Sequence, residues 1–333
     1  MNKTYKYRIY PNKEQRNKLE STLETCRFLY NSALKHRIEA YKHGVSVNYN
    51  DQSFELSGIK AEFNDLNIVH SQILQDVLRR LDKSYRNFFR RVKLGNCPGF
   101  PRFKGNDRYD SFTYPQSGFH IKDNHVCLSK IGNIKIKRHR DFIGKIKTCT
   151  VKREIDQWYV CLSVETDCSP KPKIEVNNPI GIDMGLSSFL TDSNGSKIEN
   201  PNLLNRSDSK LKETQTQFSK NKSKQKRIKL QKLHRKVRNQ RKDFHHKLSR
   251  KLVNQYDLIA YEDLNIKNMI KENEYNKSIH DVGWAKFLFM IEYKAEEAGV
   301  QCVAVNPSYT TINCSECGFP VYKDINERTH SCP

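Results

Sequence analysis

In Ile180-Gly181-Ile182-Asp183-Met184-Gly185 a short apolar run ends in the carboxylate of Asp183, and Leu258-Ile259-Ala260-Tyr261-Glu262 is a second such run. Both read as buried strands, short and apolar, each closing on an acidic residue. A carboxylate at the end of a buried strand is costly unless something cationic stabilises it. A common solution is a pair of divalent ions about 3.5–4 Å apart, one activating water and one steadying the leaving oxygen. In a strongly basic chain the natural target of that chemistry is a phosphodiester. Asp183 and Glu262 are therefore the candidate catalytic residues and the candidate ligands of Mg²⁺ or Mn²⁺. Taken singly, each has a plainer reading: a turn terminus for Asp183, a surface ion pair for Glu262. The strand context, and the charge that lies between them, favour ligation.

That charge is dense. From Lys210 to Lys251 there are 17 Lys and Arg against two acids, Glu213 and Asp243, in a chain of 333 residues with a net charge of +22. Ile228, Leu230, Leu233, Val237, Phe244 and Leu248 persist through the block, so the pattern is that of long, basic, partly amphipathic helices rather than a disordered tail. A solvated face is the plain alternative. The density favours a polyanion, whose phosphates such residues neutralise in a salt-dependent way without reading sequence. Lys226, Arg227, Arg235, Arg238, Arg241 and Lys242 are the contacts expected there. Acidic metabolites need no such field. A membrane is disfavoured, because there is no long apolar run and no signal-peptide core. The expected location is cytoplasmic, in association with a prokaryotic nucleoid.

Upstream, residues 4–10 alternate as a strand ended by Pro11, and Asn12 with Gln15 forms a capping-box pattern. Leu19, Leu23, Cys26, Tyr30 and Leu34 then recur at helical spacing. A break near Gly44 to Asn50 precedes a second helix over 71–93, with Ile73, Val77, Leu81 and Phe88 on one face and many arginines elsewhere. These helices suit either a helix-turn-helix reader or a bundle with a basic face. Between Phe100 and Tyr114, aromatics are interleaved with Arg102, Lys104 and Arg108. Most of those aromatics are expected in the core, and base stacking is the alternative. Short strands over 120–166 suggest a small β-barrel. Ser169-Pro-Lys-Pro-Lys173 reads as a linker.

The cysteines divide cleanly. Seven are scattered, as reduced intracellular cysteines usually are. Cys314, Cys317 and Cys332 alone have ligand spacing, and a CxxC turn with a third cysteine downstream suits Zn²⁺. A fourth ligand belongs near position 335, beyond Pro333, so the zinc site is expected to be incomplete and weak. His330 stands too close to Cys332 for both to chelate easily.

Together these elements resemble TnpB, the OrfB-type transposon-associated family related to type V CRISPR effectors. The resemblance runs through Tyr5 to Gln15, Cys26 to Asn31, Gly99 to Lys104, Tyr109 to Gln116, Gly181 to Gly185, Asn239 to His245, Tyr261 to Ile266 and Asn306 to Gly318. It implies a multi-domain α/β chain. A wedge-like β-barrel of residues 1–10 and 95–168 would be interrupted by a helical recognition lobe at 11–94. An RNase H-like (RuvC) nuclease domain at 174–310, with basic helices at 210–251, would lead into a partial zinc ribbon at 311–333. It also implies a transposon-derived guide RNA, DNA as target, a companion transposase from the same element, and cleavage at Asp183 and Glu262. The family's third carboxylate lies in a motif not found here, and Asp324 is a poor stand-in, so weak or absent cleavage is expected. The competing readings are an RNA-guided repressor that does not cut and a strand-transferring transposase.

Overall fold

The computed structural model describes residues 2–166, 171–266, 269, 281–310, 312–314, 316–322 and 331. The chain divides into two units, Met1–Cys168 and Ser169–Pro333.

The first unit opens with β1 (Asn2–Tyr10) and runs through three helices, α1 (Lys13–Lys42), α2 (Tyr49–Glu62) and α3 (Ser71–Lys93). Six strands follow: β2 (Ser111–Tyr114), β3 (Phe119–Lys122), β4 (His125–Leu128), β5 (Gly132–Lys137), β6 (Lys145–Glu154) and β7 (Gln157–Glu165). The capping box is present: Asn12 accepts from the Gln15 N–H, and the Gln15 side chain accepts from that of Asn12. The residues spaced along α1 (Leu19, Leu23, Cys26, Tyr30, Leu34) are all buried. The helix α2 has no counterpart in the sequence reading. Its only buried side chains are Gln52 and Leu56, and Phe54 is exposed, so no apolar stripe announces it.

The strands form one antiparallel sheet in the order β2-β6-β7-β1-β5-β4-β3, with β1 in the middle. Its inner face joins α1 and α3 in a single core, so helices and sheet fold as one body. Arg80 fastens α3 to the edge strand, donating to the Ser111 carbonyl and to Thr113 Oγ1 while paired with Asp76.

The sheet curls but does not close, which corrects the expected barrel to a half-barrel. Its end strands, β2 and β3, are joined by only four residues, a span of at most about 18 Å, yet they are not paired with each other. The start of α3 occupies the seam. The His70 ring lies 5.7 Å from that of Tyr114, and Gln72 Oε1 accepts from the Ser117 N–H at 3.0 Å. Gly118 turns the chain there at φ +83°, where a Cβ would sit 2.9 Å from His70 Nε2.

The second unit is built on a five-stranded mixed sheet. Its strands are β8 (Pro179–Asp183), β9 (Ser188–Asp192), β10 (Lys197–Glu199), β11 (Leu258–Glu262) and β12 (Gln301–Val305), in the order β10-β9-β8-β11-β12. The first three are antiparallel, whereas β8, β11 and β12 run parallel. Among the described residues three helices accompany them: α4 (Leu203–Lys220), α5 (Lys224–Gln255) and α6 (Trp284–Ala298), the last ended by Gly299 at φ +82°. Long basic helices thus occupy the charge block as expected. Leu248, Leu252 and Val253 of α5 and Phe287 and Ile291 of α6 cover the apolar face of the sheet.

Candidate active site

Burial along β8 and β11 alternates. Ile180 and Ile182 of β8, and Ile259 and Tyr261 of β11, face the core. Asp183 and Glu262 therefore project from the opposite face, since side chains alternate along a strand. The parallel register pairs Ile180 with Ile259 and Ile182 with Tyr261. Asp183 and Glu262 come one residue later on adjacent strands, which lie about 4.8 Å apart. Both line one open cleft of ≈ 600 Å³, Asp183 exposed and Glu262 half-buried.

The register has a visible cause. Asp257, just before β11, accepts from the N–H groups of Asn177 and Asn178 at 2.7 and 2.6 Å, just before β8. The Gln301 N–H at the head of β12 donates to the Asp257 carbonyl at 2.8 Å. One residue thus aligns the starts of three parallel strands, and equal strand lengths then bring the carboxylates level. Beyond Asp183 the chain turns back tightly into β9. A Cβ on Gly185 would meet the Ser188 carbonyl oxygen at 2.8 Å, so the glycine of the motif is a steric requirement.

Sequence reasoning missed Thr310. The segment after β12 folds back so that the Thr310 hydroxyl lies 2.7 Å from Glu262 Oε1 and 2.9 Å from the Pro307 carbonyl. A hydroxyl has one proton to give, and the ionised carboxylate is the stronger acceptor. Its only sequence signal is its place in the Asn306 to Gly318 block. Tyr309 beside it is exposed and held at φ +67°.

Two carboxylates offered from one face are hard oxygen donors of the kind Mg²⁺ or Mn²⁺ takes. Among the described residues no group of three or more His, Cys, Asp or Glu side chains is gathered for a metal. Cys314 and Cys317 lie on a narrow turn. The Cys314 N–H donates to the Phe319 carbonyl, the Gly318 N–H to the Cys314 carbonyl, and Asn313 bridges to Pro320. Two thiols on one turn are half of a tetrahedral zinc set. Cys332, His330 and Asp324 lie outside the described residues.

The basic residues are not equivalent. Lys226, Arg227 and Arg235 are half-buried and Arg238 and Lys242 exposed on α5, whose fully buried positions begin only at Val237. Arg241 is tied inward to Asp281 at 3.0 Å, while the other Asp281 oxygen accepts from the Leu204 N–H and caps α4. In the first unit Arg102 is exposed. The backbone of Lys104 is clasped by Asn31, and its ammonium lies 5.4 Å from the centre of the Tyr30 ring. Tyr109, Phe112 and Tyr114 are core residues, whereas Phe100 and Phe103 are exposed.

Three family models match the chain. One described as "Probable transposase" covers residues 159–273, a "Helix-turn-helix domain" residues 1–45, and a "Cas12f1-like, TNB domain" residues 284–333. The second span holds β1 and α1, a strand and one unbroken helix of 30 residues. The "Putative RNA-guided DNA endonuclease InsQ" of Escherichia coli (strain K12) is 31% identical over 94% of this chain and 83% of its own length. The "Putative RNA-guided DNA endonuclease" of Streptomyces pristinaespiralis is 31% identical over 99% and 84%. A solved structure titled "Cryo-EM structure of the Cas12f1-sgRNA-target DNA complex" aligns with a TM-score of 0.34 at 17% identity, covering 96% of this chain and 89% of that one. With two relatives matched along most of their length and the transposase model seated on the very segment that carries β11 and the basic helix, the chain belongs to the TnpB (OrfB) family.

Proposed function

We propose that the chain is an RNA-guided, divalent-metal-dependent DNA endonuclease whose second unit is an RNase H-like nuclease domain. The observation that carries this reading is the emergence of Asp183 and Glu262 from the same face and the same end of adjacent parallel strands. Mg²⁺ or Mn²⁺ bound there would supply a Lewis acid and lower the pKa of a bound water. The residues have simpler tasks. Asp183 and Glu262 would hold the cation, Thr310 would orient Glu262, and the open cleft leaves room for a phosphodiester. Lys226, Arg227, Arg235, Arg238 and Lys242 neutralise nucleic-acid phosphates along α5, and pairing of a guide RNA supplies sequence recognition. Cys314 and Cys317 would contribute thiolates to Zn²⁺ together with Cys332.

A second reading is an RNA-guided protein that occupies DNA without cutting it. It is favoured because, among the described residues, no group of three or more His, Cys, Asp or Glu side chains is placed to hold a metal. A supercoiled plasmid carrying a matched target, incubated with the chain, its guide RNA and Mg²⁺, separates the two. Linear product that disappears with Asp183→Ala supports the nuclease. Repression of a reporter that survives Asp183→Ala, with no cleavage, supports the binding protein. Cutting that persists in Asp183→Ala would overturn the assignment of the site.

A further inference from the structure

Tyr85, Phe88 and Phe89 recur at i, i+3 and i+4 near the end of α3 and so share one helix face. Phe100, from the loop that follows, meets two of them edge-on, 5.3 Å from Phe88 and 5.6 Å from Tyr85. Phe89 completes the group, 5.1 Å from Phe88 and 6.3 Å from Tyr85. Four clustered rings ordinarily belong to a core. Here Tyr85 and Phe88 are half-buried beneath, while Phe89 is 61% and Phe100 47% exposed.

The neighbours decide what can cover such a face. Arg90 and Arg91 follow Phe89 directly, both exposed. Arg91 Nη1 lies 3.8 Å from where a side chain on Gly99 would begin, so its guanidinium hangs over the approach to Phe100. An apolar partner would bury these cations without counter-charges, which is expensive. A nucleic-acid strand satisfies both parts at once, its bases stacking on the rings and its phosphates meeting the guanidiniums. A duplex keeps its base faces inside its own stack. Unpaired RNA presents them, and aromatic and arginine planes are the groups on which splayed RNA bases stack.

We propose that this face of α3 seats an unpaired segment of RNA, with bases stacked on Phe89 and Phe100 and the backbone held by Arg90 and Arg91. The proposal rests on the reading of the chain as RNA-guided, and it locates one seat of that RNA. Stacking is tolerant of sequence, so the seat would hold RNA without reading it.

The test is a fluorescence-anisotropy titration of the full chain, without divalent metal. The probes are a labelled, unstructured single-stranded RNA of about 15 nucleotides, the same sequence in DNA, and the RNA duplex. Phe89→Ala and Phe100→Ala truncate exposed rings, and an unchanged Tm verifies folding. Each should weaken single-stranded RNA about tenfold and leave the duplex unaffected, while Phe100→Trp keeps the affinity. Arg90→Gln and Arg91→Gln should each reduce the slope of log affinity against log salt by about 0.7. Equal losses for duplex and single strand, no loss in either phenylalanine variant, or tighter binding of the DNA strand at this face would overturn the proposal. So would a dimer, seen by sedimentation, that dissociates in Phe89→Ala, because a second copy would then be the occupant. Loss of plasmid cleavage in Asp183→Ala leaves this assay untouched, so the seat and the nuclease reading fail separately.

Discussion

Thr310 reaches Glu262 across 48 residues of sequence, its hydroxyl 2.7 Å from Oε1. A hydrogen bond to a charged group contributes about 1.5–3 kcal/mol, but here both partners are reachable by water, so its role is orientation more than stability. Replacing Thr310 by Val should slow metal-dependent cleavage roughly tenfold with little change in Tm. Thr310→Ser, which keeps the hydroxyl, should restore the rate. An equal fall in Tm for Val and Ser would mark the contact as merely structural. That Asp183 and Glu262 close buried strands was legible in the sequence, because each breaks an apolar run at its end, a local pattern. Thr310 was not, because a hydroxyl in a loop carries no local mark and its partner is set by the β11–β12 register. Arg241 shows the reverse. It lies in a strongly basic stretch of the chain, yet Asp281, 40 residues away, draws it inward.

Elements show the same division between local and non-local causes. The helices α1 and α3 were legible from the spacing of their apolar residues, and α5 from apolar residues surviving in a basic block. The helix α2 lacks such a stripe and went unread. The seam between β2 and β3 depends on where α3 begins, which no strand pattern encodes. The β6–β7 hairpin stores strain of its own. Glu154 pairs with Gln157, so Ile155 and Asp156 form a two-residue loop, and Ile155 stands at φ +62°. A left-handed conformation costs a β-branched residue about 1–2 kcal/mol. Ile155→Gly should therefore raise the Tm of the first unit, and a lowered Tm would contradict the account. On α5, His245 is buried among Phe189, Phe244 and Phe287, with Nε2 donating to the Val282 carbonyl at 2.9 Å. Burial pushes its pKa down to about 4, from 6.5. Between those values the unfolded chain takes up a proton that the folded chain refuses. The stability contributed by the neutral ring is thus complete above pH 6.5 and is lost as the pH falls toward 4. Across that window the wild-type Tm should fall more steeply than that of His245→Gln, and parallel curves would refute the assignment.

At the scale of the molecule, a charge of +22 and two separate cores describe a chain made to handle polyanions. No described helix is long and apolar enough to cross a membrane. The basic hairpin of α4 and α5 and the paired carboxylates belong to one unit, with the helices carrying much of the charge and the sheet carrying the acids. Positive charge gathers nucleic acid, but two carboxylates facing it repel phosphate unless a cation lies between them. On the proposed reading, a metal is therefore the part on which the rest of the function turns. Its binding can be measured without RNA, DNA or cleavage, by electron paramagnetic resonance titration of Mn²⁺ into the wild-type chain and into Asp183→Ala and Glu262→Ala. The expected result is a bound-Mn²⁺ signal in the wild type that is lost in both variants while their Tm values hold. Undiminished Mn²⁺ binding in either variant would contradict the claim that these two side chains share a cation.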